Sequence, residues 1–105
     1  MAEPVLILTT AGSESEARKI AEELVGRKLA ACVNIVPRIH SVYRWEGKVE
    51  TAEEYLLLIK TGNLRAKEVE AAVRELHSYD LPELVVLRIA GGSEAYLDWI
   101  TQSVR

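Results

Sequence analysis

The chain has one cysteine, no long apolar run and no surplus of positive charge, and each scarcity closes off a class of function. A lone Cys32 cannot form an internal disulfide, which fits a reducing compartment and an expected location in the cytoplasm. Thirteen Lys and Arg against sixteen Asp and Glu leave a formal charge of −3, a field that repels nucleic acid and anionic membrane surfaces. The longest uncharged apolar runs, Val5 to Leu8 and Leu56 to Ile59, are too short to span a bilayer. The first residues lack the basic start and apolar centre of a secretory signal. No P-loop, dinucleotide fingerprint, Cys-x-x-Cys or His-x-x-x-His is present. His77, Ser78 and Asp80 lie too close along the chain to assemble a catalytic triad. The expectation is a protein that is not an enzyme and that binds neither nucleic acid nor membrane.

What is present is the material of one α+β domain spanning residues 1–105. Of the 105 residues, 49% are hydrophobic and 28% charged, and no Pro-, Gly- and Ser-rich stretch divides them. Val5 to Thr10 is an unbroken apolar run too short for a helix, so it predicts a central strand. Ser13 and Glu16 have the spacing of a capping box, after which Ala17, Ile20, Ala21, Leu24 and Val25 recur on one helical face, with Gly26 placed to end it. Leu29 to Trp45 and Lys48 to Lys60 are strand-like runs around Glu46-Gly47, which predicts a tight hairpin. Pairing Trp45 with Lys48 sets Tyr43 opposite Glu50 and Asn34 opposite Ile59, unless Pro37, which cannot donate to the ladder, introduces a bulge. Asn63 is placed to cap a second helix carrying Ala66, Val69, Val73 and Leu76. Leu84 to Ala90 predicts a further strand ended by Gly91-Gly92. Ser93 is placed to cap a last helix carrying Tyr96, Trp99 or Ile100, and Val104. The order β-α-β-β-α-β plus a C-terminal helix is that of a ferredoxin-like sandwich with a long central hairpin.

The hairpin is too long for the domain that carries it. Leu29 to Trp45 would extend roughly 55 Å at about 3.3 Å per residue, against a radius of gyration near ~13 Å for a compact chain of this size. Its distal half carries Ile39, Val42, Tyr43, Trp45 and Val49, which a ribbon in water would expose at an energetic cost. Neighbouring copies of the chain are the simplest cover; the alternative is a ribbon that bends at Pro37 and folds back over its own sheet.

Several motifs together carry a resemblance. Leu29-Ala30-Ala31-Cys32-Val33-Asn34-Ile35-Val36-Pro37, Tyr43-Arg44-Trp45-Glu46-Gly47-Lys48, Glu54, Lys60-Thr61, His77-Ser78-Tyr79, Pro82-Glu83 and Tyr96-Leu97-Asp98-Trp99-Ile100 occur in an order that resembles the CutA family of divalent-cation tolerance proteins. The resemblance implies a ferredoxin-like fold and a homotrimer similar to that of the PII signalling proteins. It also implies a link to copper(II) or another divalent metal, with no organic cofactor and no established reaction. Ser78 departs from the proline usual in the family. The copper ligands proposed for the family fall at positions that read Thr9 and Leu76 here, so His77 alone remains as a metal candidate. It sits at a helix C-terminus, where a neutral ring can ligate a metal, but firm sites need about three or four ligands.

The other motif residues are candidates for a cleft or interface between subunits: Cys32, Tyr43, Trp45, Glu54, Lys60, Tyr79 and Glu83. Each has a plainer reading. Cys32 among small apolar neighbours behaves as a buried hydrophobe, Tyr43 and Trp45 suit an interface, and Glu54 with Lys60 suits a structural ion pair. Two function classes follow. One is a non-enzymatic trimer associated with divalent-metal tolerance and homeostasis, binding copper weakly or presenting a cleft to a partner. The other is a PII-like sensor holding an anionic metabolite between subunits.

Overall fold

The computed structural model describes residues 2–105 and contains one four-stranded antiparallel sheet with three helices. In chain order the elements are β1 (Pro4–Ala11), α1 (Glu14–Gly26), β2 (Cys32–Trp45), β3 (Lys48–Gly62), α2 (Ala66–Leu76), β4 (Val85–Arg88) and α3 (Glu94–Ser103). A short 3-10 turn, Asn63–Arg65, leads into α2. The strand order is β2-β3-β1-β4. The first strand is therefore internal, as its unbroken apolar run predicts.

Pleating sends alternate residues of each strand to opposite faces. Ile7, Leu57 and Ile59 face the helical side and are fully buried with Ala17, Ile20 and Leu24 of α1 and Val69 and Val73 of α2. Burying each of the large aliphatic side chains contributes roughly 1.5–3 kcal/mol. The register places Asn34, Leu58, Leu8 and Val85 in a row on the other face, with Val36 beside Leu56 and Leu6 beside Leu87. The foot of this second face is crossed by α3, where Lys60 Nζ donates to Tyr96 Oη at 3.2 Å. Ile100 and Val104 are the buried residues of this last segment, and Trp99 stays exposed.

Four local expectations are corrected. Gly26 is the last helical residue, and the left-handed position after α1 is Lys28 (φ 60°). The N–H groups of Lys28 and Leu29 reach the carbonyls of Val25 and Leu24, a Schellman closure that keeps Leu29 to Ala31 out of β2. A lysine in this conformation costs about 1 kcal/mol or more relative to glycine. Lys28→Gly is expected to stabilise the protein by about 1 kcal/mol, read as a higher urea midpoint with an unchanged slope; a lower midpoint contradicts the assignment. Ser13 does cap α1 by accepting from Glu16 N at 3.2 Å, but the Glu16 carboxylate does not return the bond and instead accepts from Ser78 N at 3.1 Å. Asn63 caps no helix; its Oδ1 accepts from Glu3 N at 2.8 Å and its own N–H donates to Glu3 O, tying down the start of β1. The fourth strand is four residues long and exposed along its length, because it pairs only with β1 at the sheet edge.

The hairpin turns at Glu46-Gly47, both with positive φ (50° and 79°), the signature of a two-residue turn matched to strand twist. Trp45 pairs with Lys48 and Tyr43 with Glu50, but Asn34 faces Leu58 rather than Ile59. The register slips by one between Val36 and Ile39, where Arg38 has φ 57°. This is the bulge that Pro37 allows, with two residues opposite Tyr55. Beyond it the ribbon does not fold back: Val42 is 69% exposed, Trp45 46% and Val49 65%. The molecule is accordingly elongated, 43 × 26 × 22 Å.

Candidate functional site

The polar candidates gather in two places. At the top of the sheet, where β1 ends at Ala11, the segment from His77 to Tyr79 wraps across the strand end. His77 Nε2 lies 2.6 Å from Thr10 O, and Tyr79 N donates to His77 Nδ1 at 3.1 Å. A carbonyl can only accept and an amide can only donate, so Nε2 carries the proton and Nδ1 is bare. The His77 side chain is 0% exposed, and both ring nitrogens are occupied. Tyr79 then reaches past Gly12, where an added Cβ would lie 3.0 Å from the phenol oxygen, and donates to Glu54 Oε2 at 2.9 Å. A side chain at this position would press on the phenol, so glycine eases the approach by proximity rather than by backbone conformation.

Glu54 is only 7% exposed. Burial, then the hydrogen bond to Glu54, pushes the Tyr79 phenol from 10 up to about 12, so it remains a donor throughout the neutral range. The folded state favours the neutral phenol. Whatever stability this adds is present below the ordinary tyrosine value and is lost as pH rises from there through the shifted value. Glu16 Oε1 sits 3.8 Å from His77 Nδ1 without a hydrogen-bond partner.

The second place is the foot of the sheet face opposite α1 and α2. Cys32 and Lys60 are direct cross-strand partners. The Cys32 thiol is half-buried and points to Asn34 Oδ1 at 3.7 Å. Lys60 does not pair with Glu54; its ammonium lies over the Tyr96 ring, 5.4 Å from the centroid. The expected Glu54–Lys60 ion pair is thus replaced by two separate contacts, since the two residues stand apart along β3 and meet different elements. Tyr43 and Trp45 lie out on the ribbon, and Glu83 is exposed in the α2–β4 loop. Gly12 and the Thr10 carbonyl were not among the residues expected at the site, and Glu16 was expected only as a helix cap; no spacing in the chain signals their part here.

As a metal ligand, His77 does not fit. Coordination needs a free nitrogen lone pair, and the one on Nδ1 accepts from the Tyr79 amide while Nε2 holds its proton toward Thr10. Thr9 is fully buried on the helical face. Among the described residues no three side chains of His, Cys, Asp or Glu converge as a metal site.

Comparison with known proteins agrees with this fold. The chain is 38% identical over 105 residues to the divalent-cation tolerance protein CutA of Pectobacterium atrosepticum, covering 100% of this chain and 96% of that one. It is 45% identical over 101 residues to the chloroplastic protein CutA of Arabidopsis thaliana, covering 96% of this chain but only 56% of that longer protein. The solved divalent cation tolerance protein (Cut A1) of Thermus thermophilus superposes with a TM-score of 0.95 at 45% identity, over 97% of this chain and 99% of that one. Residues 5–103 match the family described as CutA1 divalent ion tolerance protein, and with relatives this similar over nearly its full length the chain belongs to that family.

Proposed function

We propose that this protein acts in divalent-metal tolerance as a cytoplasmic, non-enzymatic homotrimer, its ribbons lying against neighbouring copies and a cleft between subunits open to a metal or a partner. The observation that carries the reading is uncovered apolar surface. Val42, Trp45 and Val49 on the ribbon, and Val36, Val85 and Leu87 on the sheet face opposite α1 and α2, are all well exposed in the single chain. Such surface on a chain of 105 residues is the mark of an interface, and closed symmetric assembly covers it without an unlike partner. Copper(II) or another divalent ion then belongs at a site completed between copies, where Cys32 and Glu83 are accessible donors, rather than on His77.

An anionic metabolite held as in a PII-like sensor is the weaker reading. Glu14 and Glu16 occupy the first turn of α1 and Glu54 lies close by, so the local charge opposes an anion. Light scattering is expected to give the mass of three chains at micromolar concentration; a mass of 11.7 kDa would end the proposal.

A further inference from the structure

We propose that His77 and Glu16 form a proton switch that selects the hydrogen-bond partners of the segment from His77 to Tyr79. In the present arrangement the ring is neutral, with Nε2 holding its proton toward Thr10 O and Nδ1 accepting from Tyr79 N. One atom is left over. Glu16 Oε1 is buried and has no hydrogen-bond partner, although it stands 3.8 Å from Nδ1. Buried polar atoms are paired as a rule, and an exception needs a reason. A second protonation state of the ring supplies one.

When a proton from solvent binds the lone pair on Nδ1, the imidazolium donates at both nitrogens. Nδ1–H then faces the Tyr79 N–H, and two donors cannot bond each other. Glu16 Oε1 is the acceptor already in place. Charge-assisted N–H···O bonds measure about 2.7–2.9 Å, so the gap closes by roughly 1 Å of side-chain adjustment. The segment keeps its other ties: Oε2 of the same carboxylate holds the Ser78 amide, and Nε2 keeps its proton on Thr10 O. What is given up is the bond from the Tyr79 amide, after which Tyr79 is held through its phenol on Glu54. All of this lies within one chain and stands whether or not copies assemble.

The surrounding charges favour such an imidazolium. From α1 comes Glu16, while Arg18 pairs with Glu14 and Lys19 is exposed. β1 carries no titratable residue. β3 presents Glu54 across Tyr79, whose ring centroid lies 4.6 Å from that of the imidazole. On α2, Arg74 pairs with Glu70 and Glu75 with Arg27, and Asp80 beyond the segment is exposed. Among the described residues Glu16 has no Lys or Arg partner, so a charged His77 is the counter-charge it lacks.

NMR of the isotope-labelled full-length protein during an acid titration tests this, with the exposed His40 in the same spectra as a reference. In the parent, His77 Nδ1 should gain a proton while the fold persists. The Tyr79 amide should then exchange about fivefold faster relative to the Ser78 amide, the factor for one neutral bond lost. Glu16→Gln keeps an acceptor for Ser78 but removes the charge, so its His77 should take up the proton only at lower pH than the parent. The proposal is overturned if the parent unfolds in acid with Nδ1 still bare, if the Ser78 and Tyr79 amides lose protection together, or if Glu16→Gln takes up the proton at the parent's pH.

Discussion

Replacing His77 with alanine is expected to lower the unfolding free energy by about 3–5 kcal/mol while leaving copper uptake unchanged. The imidazole is enclosed, and it bridges two backbone groups. Its Nε2–H satisfies Thr10 O, and its Nδ1 satisfies Tyr79 N. Truncation leaves a cavity in place of an enclosed ring and takes the partner from the part-buried Thr10 carbonyl, a loss that alone costs about 1–3 kcal/mol. Urea unfolding measures the loss, and calorimetric titration with copper measures the uptake. Should the alanine variant fail to fold, His77→Gln supplies one donor and one acceptor in the same space and permits the titration. A variant that keeps its stability but loses copper would make the ring a ligand and undo the assignment of its tautomer.

Trp45→Ala is expected to weaken association sharply, because the indole is half-exposed in the single chain and gains burial only when another copy covers it. Truncating a large aromatic in a buried setting costs about 3–5 kcal/mol, and in a closed symmetric assembly the same contact recurs at every interface. Mass action then makes the unfolding temperature of the variant depend more steeply on protein concentration than that of the parent. Sedimentation at low micromolar concentration should show dissociated chains. An intact assembly with unaltered thermal stability would place Trp45 in an open cleft instead.

Most of the fold was legible because the strongest signals are periodic. The helical stripe from Ala17 to Leu24 and the unbroken run from Val5 to Thr10 admit one interpretation each, and the Glu46-Gly47 turn anchors the outer register. Errors came where one local residue type suits two partners. Asn63 has the chemistry of a helix cap, yet an amide of β1 competes for its oxygen, and only tertiary structure brings Glu3 there. Glu16 has the spacing to close a capping box, yet the Ser78 amide draws it away. Pro37 announced an irregularity without saying which residue of β2 would be extra, so the inner register was off by one. The candidate site was read residue by residue but not as an arrangement. That Glu54 meets Tyr79 and Lys60 meets Tyr96 depends on which elements converge, and no spacing in the chain encodes it.

The placement of β1 also dictates the order in which the fold can be completed. Strand β1 lies in the interior of the sheet and precedes both of its neighbours in sequence, Tyr55 to Gly62 on one side and Val85 to Arg88 on the other. On a ribosome, β1 therefore emerges long before either partner, an apolar run with both edges unpaired. The β2–β3 ribbon depends only on residues close in sequence, and β-hairpins form within microseconds, so it can exist before the sheet does. Closing β1 against β4 joins segments far apart in sequence and comes last. Pairing of such distant segments is slow and leaves strand edges open to other chains in the meantime.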